Sequence, residues 1–236
     1  MTPKVICHIM SSVDGRLLPS RWTPPFDGTN PSELFREYAA IGKLLGTDAW
    51  MFGKTTTTEA FPDIFIPKNN EHAKADSIYR PASLSERLFI TVDPEGDIFY
   101  TSNPLRGDSI VVVLDITATT DYLELLHKKE IGYIVVDDIK DLHKAMGILA
   151  EQFGVRSISL QGGGIIDGAM LAAGLLDELS LVIYPGIDGN MASPSIFEYL
   201  GAADDRPADG QALELLSSQT KAHGIVWLRY KLHKCK

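Results

Sequence analysis

The stretch SISLQGGGIIDGAMLAAGLLDELSLVIYPGID, residues Ser157–Asp188, decides the fold of this chain. A short apolar strand, Ser157–Leu160, runs into three consecutive glycines, after which come a small-residue helix and a second apolar strand. Strand, glycine turn, helix and strand in this order are typical of an α/β protein with a largely parallel sheet. The stretch therefore predicts an α/β fold.

The three glycines, Gly162, Gly163 and Gly164, stand where the strand meets the helix. Backbone N–H groups at such a junction can face an anion at the positive end of a helix, an arrangement that suits a pyrophosphate. The spacing is not that of the dinucleotide fingerprint, whose third glycine would fall at Asp167. Taken alone, the glycines fit an anion site and a ligand-free tight turn equally well. We expect Gly163 to need a positive φ, which a side chain disfavours.

Composition limits the class of protein and the kind of partner. The net charge of −9 argues against binding to nucleic acid or to an anionic membrane. Apolar runs stay well short of the roughly 20 residues that span a bilayer, and the start does not resemble a signal peptide. The two cysteines, Cys7 and Cys235, form neither a disulfide framework nor a metal motif. We predict a cytoplasmic protein that binds no metal and acts on a small-molecule substrate.

Strands alternate with helices over the rest of the chain. A helix is predicted at about Ser32–Leu45, with Asn30 as its N-cap. Two last strands, Leu213–Thr220 and Ile225–Leu232, read as an antiparallel hairpin. The prediction is one domain, residues 1–236, with a mixed, mostly parallel sheet, helices on both faces and a C-terminal antiparallel hairpin.

Three other features bear on chemistry. Gly53-Lys54-Thr55 fails as a P-loop because Asp48 stands where a glycine is required, yet it offers a cation and helix amides to a phosphate; a capped, solvated helix start explains it equally well. His8 is expected to be a hydrogen-bonded core histidine. Ser12-Val13-Asp14-Gly15 follows the first strand and is typical of a turn. With neither a metal pattern nor an activated nucleophile in the sequence, a cofactor-driven reaction is favoured.

Three segments in order, Ser12–Gly15, Asp48–Thr56 and Gln161–Pro185, resemble the reductase domain of bacterial riboflavin biosynthesis and its stand-alone relatives. The resemblance covers nearly the whole chain and implies the dihydrofolate reductase-like fold. It also implies NADPH as cofactor, with hydride transfer to C1′ of a phosphoribosylamino-pyrimidine, the reaction of 5-amino-6-(5-phosphoribosylamino)uracil reductase.

The resemblance assigns roles to individual residues of this chain. It implies that Ser12 and Asp14 lie near the nicotinamide and the substrate. Because residues after a strand's carboxyl end line the cleft of an open α/β sheet, we predict that Asp14 is catalytic and that Ser12 and Gln161 contact the substrate. The resemblance implies cofactor contacts at seven residues, namely Gly53, Lys54 and Thr56 for the adenosine-side phosphates, and Gly162, Gly163, Gly164 and Ile165 for the pyrophosphate.

The chain departs from the family pattern at two places. Gln161 stands where members usually have Glu, and Phe61-Pro62 replaces an Asp-Pro pair. The deaminase domain often fused to this reductase is absent, because neither H-x-E nor P-C-x-x-C occurs. The resemblance therefore implies a separate deaminase protein in the same pathway, and a homodimer, which is the common state in the family.

Other functions remain open from the sequence, among them a related reductase that acts on another small pyrimidine-like or carbonyl-like molecule. Dihydrofolate reductase activity would need an acid buried beside the pterin, and Asp27 and Glu33 lie roughly where one would be sought. A non-catalytic NADPH-binding module would keep the glycines and need no substrate pocket.

Overall fold

The structure is a computed structural model that describes residues 2–235. Ten β-strands and five α-helices lie within this range. The strands are β1 (Lys4–Ser11), β2 (Ala49–Gly53), β3 (Ile78–Tyr79), β4 (Leu88–Val92), β5 (Ser109–Asp115), β6 (Gly132–Val136), β7 (Ser157–Leu160), β8 (Glu178–Ile183), β9 (Gln211–Thr220) and β10 (Val226–Lys234). The helices are α1 (Pro31–Leu44), α2 (Lys54–Thr58), α3 (Thr120–Lys128), α4 (Leu142–Phe153) and α5 (Gly164–Ala172).

The strands form a mixed, mostly parallel sheet. The pairs β1–β8, β2–β4, β4–β5 and β5–β6 are parallel, whereas β9, β10 and β8 pair in antiparallel fashion. The predicted fold class and the C-terminal hairpin are thereby confirmed. Within residues 2–235, no helix is both long and apolar enough to cross a membrane.

The chain divides into two compact units, and the prediction of a single domain stays a prediction. Most of the first unit is Thr47–Ile158, with strands in the order β3-β6-β5-β4-β2. Its core is built around the fully buried Phe61, Tyr100 and Tyr122. Such aromatic side chains contribute most of the apolar area that a core removes from water.

The second unit consists of Lys4–Gly46 and the chain from Ser159 onward, with strands in the order β1-β8-β10-β9. Its core includes Leu34 and Ile41 from α1, which lie on one face of that helix. The predicted N-cap is confirmed, since the Asn30 side chain accepts a hydrogen bond from Ser32 N at 2.9 Å. The helix is therefore fixed at its start by capping and along its length by packing.

One strand was not expected. β3 lies inside residues 62–86, a polar stretch whose sequence shows no regular pattern of a strand or helix, and pairs antiparallel with β6 through Ile78 opposite Ile134. A strand of two residues is too short to show the alternating pattern from which strands are predicted.

Candidate functional site

The glycine turn joins β7 to α5 in the second unit. Gly162 has a φ of +80°, and a Cβ added there would lie 2.9 Å from Ile9 Cδ1. The Gly162–Gly163 peptide bond is cis. Gly163 has a φ of −74°, so the expectation of a positive φ at Gly163 is wrong. The left-handed conformation that favours glycine is one residue earlier.

Gly164 and Gly168 allow α5 to pack closely against another backbone segment. A Cβ at Gly164 would collide with the carbonyl oxygen of Ser195, and one at Gly168 with that of Glu198. Glu198 N also donates to Gly164 O at 2.9 Å. Gly164, predicted as a cofactor contact, thus has a packing reason to be glycine whether or not a ligand binds.

The N-terminus of α5 suits an anion. Gly163 is its N-cap and supplies no side-chain hydrogen bond, so the first amides of this nine-residue helix are not capped by their own N-cap side chain. Ile165, in the first turn, is 49 % exposed, which leaves the helix end open. The first N–H groups of a helix have no intrahelical acceptor, and together with the positive end of the helix dipole they favour a phosphate group. The residues present therefore fit the pyrophosphate of a dinucleotide.

A buried acid lies beneath this turn. Asp167 is fully buried, and the Cys7 thiol and the Gly162 backbone amide face its carboxyl group. These neighbours act on the carboxyl electrostatically, but neither of its oxygens completes a hydrogen bond with any described residue. Burial raises the pKa of Asp167 well above its usual value and so favours the neutral acid over the carboxylate.

The Ser12–Arg16 segment, after β1, forms a turn built around Asp14. Ser12 Oγ donates to Asp14 Oδ1 at 2.7 Å and accepts from Arg16 N at 2.9 Å. The Asp14 carboxylate also accepts from Asp188 N at 3.1 Å and Gly189 N at 2.8 Å. Asp14 therefore holds the loop after β8 against the loop after β1.

These contacts bear on the predicted catalytic role of Asp14. The hydrogen bond from Ser12, followed by those from Asp188 and Gly189, lowers the pKa of Asp14 below its usual range. A proton donor at neutral pH needs the opposite shift. The geometry thus favours Asp14 as the residue that orders the loop rather than as an acid, while its effect on turnover stays a prediction.

Gln161, which directly follows β7, and His8, on β1, lie close together in the second unit. Gln161 Nε2 donates to Ser159 Oγ at 3.3 Å. A Cβ added at Gly42 would lie 3.1 Å from His8 Nε2 and 3.7 Å from Gln161 Nε2. His8 is buried, with Nδ1 3.0 Å from Ser180 Oγ and Nε2 3.2 Å from the carbonyl of Tyr38. Burial lowers the pKa of His8 to about 4, and its predicted role as a core histidine is confirmed.

In the first unit, Lys54 is surrounded by carboxylates. Its Nζ lies 2.8 Å from Asp97, 2.9 Å from Glu95 and 3.8 Å from Asp93. Partial burial works to lower the pKa of Lys54, but the hydrogen bonds to Asp97 and Glu95 outweigh it and raise the pKa. Burial raises the pKa of Asp93 to about 6. Lys54 is therefore not the free cation that the sequence predicts, since a phosphate there would compete with bound carboxylates.

Gly53 and Thr56, the other two cofactor contacts predicted beside Lys54, lie at the start of α2. Gly53 is the N-cap, with an extended backbone, and its carbonyl accepts from Thr57 Oγ1 at 3.1 Å. Thr56 is in the helix, and its carbonyl accepts from Glu59 N at 3.3 Å. The helix start weighed in the sequence analysis is therefore present, although Gly53 supplies no side-chain cap.

The order of the elements, the glycine turn and the strand-end residues all agree with one known family. A family model described as the RibD C-terminal domain matches residues 3–227. The chain belongs to the RibD C-terminal domain family. This membership covers both units and confirms the resemblance found in the sequence.

Solved structures of members share the fold at low sequence identity. A pyrimidine reductase-like protein from Corynebacterium diphtheriae is 18% identical, with a TM-score of 0.65, over 98% of this chain and 92% of that one. RibD from Acinetobacter baumannii is 16% identical, with a TM-score of 0.64; the match covers 98% of this chain but 58% of that one. The riboflavin biosynthesis reductase of Saccharomyces cerevisiae is 15% identical, with a TM-score of 0.56, over 98% and 90%.

Two features of the second unit escaped the sequence analysis. One is the burial of Asp167. The sequence does contain a signal for it, because an acidic residue among apolar residues in the first turn of a helix indicates a buried carboxyl. The other is an aromatic group in which Trp22 lies 4.8 Å from Tyr184 and 6.4 Å from Phe35, measured between ring centroids. These rings are far apart in the chain, and no local pattern links them.

Proposed function

We propose that this protein is an NADPH-dependent reductase that transfers hydride to C1′ of a phosphoribosylamino-pyrimidine, as in 5-amino-6-(5-phosphoribosylamino)uracil reductase. Membership of the RibD C-terminal domain family supports a reductase of riboflavin biosynthesis. The observation that carries the cofactor assignment is the glycine turn, where Gly162 takes a positive φ beside an open helix end.

In this proposal the cofactor supplies the hydride, and the protein binds and orients both reactants. Gly162, Gly163 and the first amides of α5, including that of Ile165, hold the pyrophosphate. Ser12 and Asp14 keep the loop after β8 in place at the substrate end. Gln161 binds substrate through an amide that does not titrate.

Dihydrofolate reduction is less well supported by this geometry. Its proton donor would be an acid buried beside the pterin, whereas Asp27 and Glu33 are both exposed. Asp27 accepts from Thr29 N at 2.9 Å, and Glu33 lies 3.7 Å from Arg36. Both carboxylates therefore have surface roles that need no substrate.

NADPH oxidation followed at 340 nm tests the proposal, with the phosphoribosylamino-pyrimidine and dihydrofolate assayed in parallel. We expect turnover with the first substrate and none with the second. Turnover with dihydrofolate alone would replace the proposed substrate. Tight NADPH binding without turnover on either compound would favour the non-catalytic module.

Cofactor preference tests the Lys54 assignment separately. We expect NADPH to bind about tenfold more tightly than NADH, because the 2′-phosphate would displace a carboxylate from Lys54 and gain about 1.5 kcal/mol from the charge-assisted contact. Lys54→Met should abolish this preference. Lys144→Met is the matched control, since Lys144 also bridges two carboxylates, Asp76 and Asp137. Equal calorimetric affinities of the wild type for the two cofactors would remove Lys54 from this role.

A cytoplasmic location and a separate deaminase partner belong to the same proposal. The proposed pathway step operates on a small phosphorylated metabolite, and the match with RibD from Acinetobacter baumannii covers 58% of that longer chain. Deamination of the pyrimidine would then be the work of another protein.

A further inference from the structure

The buried acid beneath the glycine turn has no part in the function described so far. Asp167 is the fourth residue of α5, and its backbone N–H donates to Gly163 O at 3.2 Å. Its Oδ2 lies 3.6 Å from the position that a Cβ of Gly162 would occupy. The carboxyl is therefore in contact range of the residue that shapes the turn.

The groups that face Asp167 provide no counter-charge. Cys7 approaches from β1 and Tyr38 from α1, and burial is the first cause that raises the pKa of both the thiol and the phenol. His8, stacked on Tyr38 with ring centroids 4.3 Å apart, is neutral above pH 5. Glu198 packs on α5 from the opposite segment, and its Oε1 accepts from Ser195 N at 3.0 Å. None of these groups is a cation at neutral pH.

The charge state of Asp167 therefore decides what the turn can bind. As a neutral acid it leaves the positive end of the α5 dipole available to an anion, while the Gly162 amide faces the Asp167 carboxyl. As a carboxylate it would place an unpaired negative charge in a desolvated position beside the same amide, where Coulomb repulsion is strong. An anion on the turn and an ionised Asp167 exclude each other.

We propose that Asp167 is a positioning residue for the anion that binds the glycine turn, and that the turn accepts this anion only while Asp167 carries its proton. This inference rests on the proposed function in naming the pyrophosphate of NADPH as that anion. By linkage, anion binding and protonation of Asp167 strengthen each other equally.

The test compares wild type with Asp167→Asn, a neutral side chain of the same shape. NADPH affinity is measured by calorimetry from pH 6.5 to 9.5. We expect the wild-type affinity to fall at least tenfold over this range and that of Asp167→Asn to change less than twofold. Asp209→Asn, an exposed position of the same unit, should follow the wild type. Parallel profiles of wild type and Asp167→Asn, including two flat ones, would overturn the proposal.

A second measurement needs only the wild type, should Asp167→Asn fail to fold. Binding heats at pH 9 are compared in two buffers of different ionisation enthalpy. We expect proton uptake when NADPH binds, and its absence would overturn the proposal.

Inorganic pyrophosphate separates this inference from the proposed function. If NADPH does not bind at pH 6.5 but pyrophosphate binds with the expected difference between wild type and Asp167→Asn, the proposed function fails and the inference stands. If neither ligand binds at pH 6.5, both are overturned.

Discussion

At the scale of single residues, the Asp14 carboxylate holds a neighbouring loop in place through hydrogen bonds from backbone N–H groups. Its two oxygens accept from Ser12 and from the amides of Asp188 and Gly189, which follow β8. A neutral amide cannot replace both oxygens as acceptors, because one of its two ends only donates. Loss of Asp14 therefore loosens the loop that we assign to the substrate.

Asp14→Asn should lower kcat for the phosphoribosylamino-pyrimidine at least tenfold and change NADPH affinity less than threefold. Steady-state kinetics per folded molecule, with folding checked by circular dichroism, measures this. Asp27→Asn is the control, since Asp27 is also an exposed acceptor of a backbone N–H in its own turn. Unchanged turnover in Asp14→Asn with reduced stability would show that Asp14 is only a turn residue.

At the scale of elements, α5 is placed by glycines that serve packing. Gly164 and Gly168 are one helical turn apart, and both face backbone carbonyls of the Ser195–Glu198 segment. Helices in close contact with other backbone need residues without a Cβ at the contact. Glycines thus serve both the start of α5, where we propose that the anion binds, and the packing of the helix farther along.

Gly168→Ala separates packing from helix propensity. Alanine in a helix is more favourable than glycine by about 1 kcal/mol, but the added Cβ would collide with Glu198 O. We expect a net loss of about 1–3 kcal/mol in the free energy of unfolding, measured by chemical denaturation. Gly147→Ala, inside α4 with open space around it, should instead gain about 0.5–1 kcal/mol. A gain at both positions would contradict the packing of α5.

At the scale of the whole molecule, β9 is the terminal strand of the second unit and pairs with β10. Leu213 and Leu215 on this ten-residue strand are 57% and 54% exposed. Long apolar edge strands are templates for pairing with another chain. The homodimer expected from the resemblance would cover this edge with a second copy of β9, related by a two-fold axis.

Leu215→Lys should convert the dimer to a monomer, because a charge at the centre of the paired edge opposes association. Sedimentation velocity at several protein concentrations measures the change. Leu44→Lys, at an exposed leucine at the end of α1, should leave the dimer intact. A wild-type monomer at all concentrations would exclude the homodimer, and a dimeric Leu215→Lys would place the interface elsewhere.

The sequence by itself determined the succession of strands and helices, the cap of α1 and the glycine turn. Those features depend on periodicity and on neighbouring residues, which a single stretch of chain contains. It also predicted the family, because the three motifs occur in order. The two-residue β3 carried too little local pattern to be predicted.

Only the tertiary structure decided what the site residues contact. Asp14 meets Asp188 and Gly189 from the far end of the chain, and Lys54 meets Asp97 from a later loop. The pKa of Asp167 is raised because strands and helices remove it from water, not because of its neighbours in sequence. Hydrogen bonds, ion pairs and desolvation between distant segments exist only after folding, and these interactions decide charge and therefore chemistry.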